Sequence, residues 1–149
     1  MNKFGPIIVI EDDVDDQEFL DVVFKRLAYP NDVVYFSDGE KAIAYLGTVE
    51  TQPFLILSDI NMPKINGFEV RNKIFADEEL AFKCIPYLFF TTASSEQYVE
   101  QAYSMSVQGF FIKPASMAEL EVTLTTIIEY WKISRSPGLK RVKAIKTAH

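Results

Sequence analysis

Five short apolar runs, each followed by a stretch with helical spacing, constrain this chain more than any other feature. The runs are Pro6-Ile7-Ile8-Val9-Ile10, Val33-Val34-Tyr35-Phe36, Phe54-Leu55-Ile56-Leu57, Pro86 to Thr91 and Gly109-Phe110-Phe111-Ile112. They are β-branched or aromatic and too short for helices, so they read as buried strands. Between them the period changes. Phe19, Leu20, Val23, Phe24 and Leu27 share one helical face, and that helix stops before Pro30-Asn31. Ser37 or Asp38 caps a short helix carrying Ala42, Ile43 and Leu46 and closed by Gly47. Phe68, Val70, Arg71, Ile74 and Phe75 mark a third helix whose end is blurred by Asp77-Glu78-Glu79. Ser94 or Ser95 caps a fourth, with Tyr98, Val99, Ala102 and Tyr103 inward. Ser116 and Glu119 form a capping box before Met117, Leu120, Leu124, Ile127, Ile128 and Trp131. Fivefold strand–helix alternation implies an α/β fold with a parallel sheet and helices on both faces. With right-handed crossovers, the flavodoxin-like (βα)5 order 2-1-3-4-5 fits the length, and its switch point lies between strands 1 and 3.

Those two strands end in acids, Glu11-Asp12-Asp13 and Asp59. Carboxylates gathered at one sheet edge repel one another unless a cation sits among them. All-oxygen ligands with room for waters and a phosphate suit Mg²⁺ better than zinc or a calcium cage. Asp59, at the end of the third strand, is the candidate nucleophile for a phosphoryl group. Asp15, Asp16 and Glu18 sit in the first turns of a helix, where its dipole favours acids. Thr91 ends the fourth strand and offers a hydroxyl at the same edge. Lys113-Pro114 ends the fifth; the lysine is a point charge able to neutralise a phosphate, and the proline permits a cis peptide that would fix the loop.

The 149 residues suit one domain, and 48% hydrophobic with 24% charged residues is ordinary for a globular protein. One cysteine, Cys84, excludes an internal disulfide framework. No signal peptide or bilayer-length apolar run is present, so a cytoplasmic location is expected. Residues 1–131 are expected to form the domain and 132–149 a basic, flexible tail. The tail holds six of the fifteen basic residues and no acid, which leaves the body nine against 21 acids, a net charge of -12. Such a body disfavours nucleic acid. The tail is too short for a DNA-binding effector domain.

Acids after strands 1 and 3, a hydroxyl after strand 4 and Lys-Pro after strand 5 together resemble the receiver domain of two-component response regulators, over roughly residues 6–131. The resemblance implies a signalling domain rather than an enzyme. Asp59 would be phosphorylated with Mg²⁺ by a histidine kinase or histidine phosphotransfer protein. It implies that Asp12 binds Mg²⁺ directly, Glu11 through water, and Asn61 through its backbone carbonyl. Met62-Pro63 and Gly67 match the family's following loop. Thr91 and Lys113 match the residues that turn toward the phosphoryl group, and Phe110 the aromatic that swings inward, here without a phenol hydroxyl. Output would pass to a downstream protein through the face built from the fourth and fifth strands and the helices after them. Ala93, two residues beyond Thr91, cannot orient a hydrolytic water, so a long-lived phosphorylated state is expected.

Rival readings fit less well. A flavodoxin-like cofactor binder would not place Glu11-Asp12-Asp13 against a phosphate. A haloacid-dehalogenase-type phosphatase would use Asp13-Val14-Asp15, but Gln17 stands where that motif needs threonine. No frame from Asp12 or Asp13 gives an EF-hand its sixth-position glycine and twelfth-position acid. A degenerate receiver that only binds partners would lack a core position, and none is missing here. The only histidine, His149, is the last residue and a poor phosphodonor.

Overall fold

A computed structural model describes residues 1–48, 50 and 52–136. The elements run β1 (Ile7–Ile10), α1 (Val14–Leu27), β2 (Val33–Phe36), α2 (Gly39–Thr48), β3 (Leu55–Ser58) and α3 (Gly67–Ala76). They continue with α4 (Glu78–Phe82), β4 (Tyr87–Thr91), α5 (Glu96–Ser104), β5 (Gly109–Ile112) and α6 (Met117–Ile133). The five strands form one parallel sheet of order β2-β1-β3-β4-β5, as the alternation predicts. Among the described residues no helix is long and apolar enough to cross a membrane.

Each strand feeds two cores, because successive side chains point to opposite faces. Ile7, Val9, Leu55, Leu57, Leu88 and Phe90 pack with α1 and α6, including Leu20, Val23, Leu120 and Leu124. Ile8, Ile10, Ile56 and Phe89 pack on the other side with Ala42 and Leu46 of α2, Phe68 and Val70 of α3 and Ala102 of α5. Every residue of β1, β3 and β4 is buried, whereas those of β2 are only partly so. Central strands covered on both faces are therefore continuous apolar runs. Each fully buried Ile, Leu or Phe side chain contributes about 1.5–3 kcal/mol, so the sheet is a rigid frame for whatever its ends carry.

The ladder reaches one residue past the strands. Asp59 N donates to Ile10 O at 2.9 Å, Glu11 N to Phe36 O at 2.9 Å and Lys113 N to Thr91 O at 2.9 Å. The first residues after β1, β3 and β5 are thus held by the sheet itself.

Local details depart from the sequence expectations in several places. Gly47 does not close α2; the helix runs through it to Thr48, and among the described residues no glycine has a positive φ. Asp38 rather than Ser37 takes the N-terminal N–H, from Glu40 at 2.8 Å, and Ser95 rather than Ser94 caps α5. The blur at Asp77-Glu78-Glu79 is a second, one-turn helix: Asp77 ends α3 and caps α4. Tyr103 is 59% exposed, because α5 turns its Tyr98–Ala102 face to the sheet and the next position lies about 100° away. Ser116 accepts the Glu119 N–H, but the reciprocal capping box is Asn66 with Glu69 on α3. The Lys113–Pro114 peptide is trans. Helix α6 extends two residues beyond Trp131, and most of the basic tail, 137–149, lies outside the described residues.

Candidate phosphoacceptor and metal site

Asp59, Glu11 and Asp12 meet at the carboxyl edge of the sheet. One carboxylate oxygen from each lies within 4.8 Å of the others. Glu11 is 2% exposed and Asp59 9%, so two of the three acids are nearly enclosed, while Asp12 is the more open. Lys113 completes the cluster. Its Nζ bonds Glu11 Oε2, and lies 3.2 Å from Asp59 Oδ2 and 3.1 Å from Asp16 Oδ2. The other Asp59 oxygen, Oδ1, accepts the Ile60 N–H at 2.7 Å.

Burial lifts the Glu11 carboxyl to about 7, Lys113 opposes that rise, and the Asp59 charge adds to it. Burial works against the charged ammonium of Lys113, but Glu11 and Asp59 outweigh it and hold the lysine above its ordinary range. The site therefore keeps its cation, and burial works against the charged form of Glu11. Three carboxylates and one ammonium leave excess negative charge, and an oxygen-only donor set with one open member fits a small hard divalent cation.

The remaining candidates are placed unequally. Thr91 is buried at the end of β4, and its Oγ1 accepts the Ala93 N–H at 3.0 Å. Asn61 stands on the exposed loop after β3, its Oδ1 receiving the Tyr98 hydroxyl at 3.4 Å. Phe110 is half-buried on β5, 6.0 Å from the Phe89 ring, away from the charged cluster. Gly67 is forced by space: a Cβ there would stand 2.2 Å from the Asp59 carbonyl oxygen. Asp13 is the N-cap of α1, accepting N–H bonds from Asp15 and Asp16.

Two contributors were not singled out from the sequence. Asp16 belongs to the lysine's shell as well as to the helix start; its position one turn beyond Asp12 and Asp13 puts it on the same face. Gln17 donates to the Glu11 carbonyl at 2.5 Å and ties α1 to the acidic loop. A cavity of about 240 Å³ opens beside Lys113, lined by Phe19, Leu20, Phe90, Pro114 and Leu120 among others.

The response regulator receiver domain family matches residues 7–125. A probable methanogenesis regulatory protein, FilR2 of Methanothrix harundinacea, is 34% identical over 137 residues, which cover 89% of this chain and 87% of that protein. The response regulator Rcp1 of Synechocystis is 30% identical over 84% of this chain and 87% of its own length. Among solved structures, the phosphorylated cyanobacterial phytochrome response regulator RcpA superposes with a TM-score of 0.77 at 29% identity, covering 88% of this chain and 96% of that one. The Mn²⁺-bound form of Rcp1 gives 0.74 at 28% identity, covering 89% and 98%.

Proposed function

This chain belongs to the response regulator receiver domain family, and from that premise we propose that it is a phosphoacceptor switch in a two-component phosphorelay, with Asp59 as the acceptor. The observation that carries the reading is the clustered set of Glu11, Asp12 and Asp59 with the Lys113 ammonium among them. A carboxylate oxygen of Asp59 attacks the phosphorus of a phosphohistidine on a histidine kinase or phosphotransfer protein. The new O–P bond forms as the P–N bond breaks, and the imidazole leaves. Lys113 meets the transferred oxygens as a fixed positive charge, so positioning and electrostatics do the work. Glu11, Asp12, Asp59 and the Asn61 carbonyl would hold Mg²⁺, which supplies two positive charges against the phosphoryl oxygens. The Mn²⁺-bound relative supports a divalent site here.

Thr91 and Phe110 serve as the switch pair, and the β4–α5–β5–α6 face carries the output to a downstream protein. Ala93 leaves hydrolysis slow. The domain works in the cytoplasm. The test is incubation with Mg²⁺ and acetyl phosphate, followed by mass spectrometry of the modified residue. One phosphoryl mass on Asp59, absent from Asp59→Asn, is expected. A wild type that gains no phosphate, or gains it elsewhere, overturns the proposal.

A further inference from the structure

Directly beneath the acidic pocket, the apolar core holds two polar side chains where the strand pattern would accept aliphatic ones, Ser58 and Tyr87. They are 0% and 2% exposed. A buried hydroxyl is costly unless bonded, and both are bonded to the same short loop. The Tyr87 hydroxyl donates to the Gly67 carbonyl at 3.0 Å and lies within hydrogen-bonding reach of Ser58. Ser58 Oγ donates to the Asp59 carbonyl at 2.8 Å. At the loop's neck, Gly67 N donates to Ile60 O at 2.8 Å, and the Gly67 Cα passes too close to the Asp59 carbonyl for any side chain. The segment from Asp59 to Gly67 is thus a loop whose two ends are cross-tied, with Asn61 on its exposed side.

We propose that the Tyr87 hydroxyl, with Ser58, is a positioning group for the phosphoacceptor site: it clamps the 59–67 loop from below and so fixes Asn61 beside Asp59 for cation binding. The inference rests on the phosphoacceptor reading above. It assigns a role to residues that touch neither cation nor phosphate. The ring of Tyr87 packs edge-on to Phe89 at 5.3 Å, and phenylalanine keeps that packing. Only the hydroxyl's ties, to Gly67 and to Ser58, are lost in Tyr87→Phe.

Two measurements test this. Amide hydrogen exchange reads the clamp without any ligand: in Tyr87→Phe the Gly67 amide should exchange about three- to tenfold faster, the worth of one neutral hydrogen bond, while amides of α1 and α6 keep the parent rate. Phosphorylation from acetyl phosphate reads the consequence. The half-saturating Mg²⁺ concentration should rise by a similar factor, and the maximal rate at saturating Mg²⁺ should match the parent. Ser58→Ala, which cuts the tie to Asp59, should move both in the same direction. Unchanged Gly67 exchange in both variants overturns the role. So does faster exchange spread evenly over the sheet with half-saturating Mg²⁺ unmoved, the mark of a merely structural contact. The parent run alongside separates the two ideas. A parent that takes up neither Mg²⁺ nor phosphate sinks the proposed function, whereas a normal parent matched by both variants sinks only the clamp.

Discussion

Replacing Lys113 with methionine isolates the electrostatics of the site. The side chain keeps its unbranched shape, one atom shorter, and loses its charge. In the parent, Nζ sits between Glu11 and Asp59. Without it, two enclosed carboxylates face each other within 4.8 Å. At an effective dielectric near 20 that repulsion is about 3.5 kcal/mol. Proton uptake on Glu11, whose carboxyl is already lifted to about 7, relieves much of it at pH 7, but the ion pairs of Lys113 with Glu11 and Asp59 are lost as well, and the expected net loss is about 3 kcal/mol. That agrees with the 3–5 kcal/mol typical of breaking a buried ion pair from one side. With a urea slope of about 2 kcal/mol/M for a domain of this size, the midpoint in EDTA should fall by about 1.5 M. Mg²⁺ should then narrow the gap between variant and parent, because a more negative pocket binds the cation more tightly. Saturation to 100 times Kd alone returns about 2.7 kcal/mol. The assay is urea unfolding followed by circular dichroism, with EDTA or with Mg²⁺. Equal midpoints in EDTA, or a gap that Mg²⁺ leaves untouched, would refute the reasoning.

Other expectations follow from single contacts. Gly67→Ala drives a methyl to 2.2 Å from the Asp59 carbonyl and 2.9 Å from the Phe89 ring; a loss of about 1–3 kcal/mol in urea and slower phosphorylation of Asp59 are expected, and parent-like values for both would show that the loop yields freely. Burial raises the Tyr87 phenol above its ordinary 10, so its contribution is complete below pH 10 and is lost as pH rises toward the folded value. The unfolding free energy should fall above pH 10 by up to about 1.4 kcal/mol per pH unit, and Tyr87→Phe should flatten that slope. Ala93→Glu supplies a group able to orient water; loss of phosphate from the purified phosphoprotein should be at least several-fold faster, and an unchanged time course argues against slow hydrolysis in the parent.

The sheet order could be read from the sequence because each buried strand is a continuous apolar run and each crossover helix has a clean period. The acids could be placed for the same reason: they stand just past the ends of β1 and β3, and the ladder extends to them. What escaped the sequence depends on contacts between elements. Asp16 looks like an ordinary helix-dipole acid until β5 brings Lys113 to it. Tyr87 looks like a strand aromatic until α3 sets the Gly67 carbonyl over its hydroxyl. Gly47 has the chemistry of a helix stop, yet nothing in the packing requires the chain to turn there. The extra helix at Glu78 depends on Asp77 serving two caps at once, which no period announces.

The geometry also bears on how far phosphorylation can shift the protein. Thr91 already receives the Ala93 N–H. If turning its hydroxyl to a phosphoryl oxygen breaks that bond, about 1 kcal/mol is lost, and a charge-assisted bond of about 1.5–3 kcal/mol is gained. The surplus, about 0.5–2 kcal/mol, shifts a two-state equilibrium about two- to thirtyfold. Carrying it from 1:99 to 99:1 needs about 5.5 kcal/mol. A single hydroxyl therefore cannot supply a full switch. On the proposed reading the rest falls to the charged groups of the site, a bound divalent cation and Lys113, whose ammonium is shared among Glu11, Asp16 and Asp59 and can redistribute toward a doubly charged phosphoryl group. If the proposal holds, Thr91 would report the phosphoryl group to the β4–α5 loop, and the charged groups around Asp59, Lys113 among them, would supply the free energy that makes the report decisive.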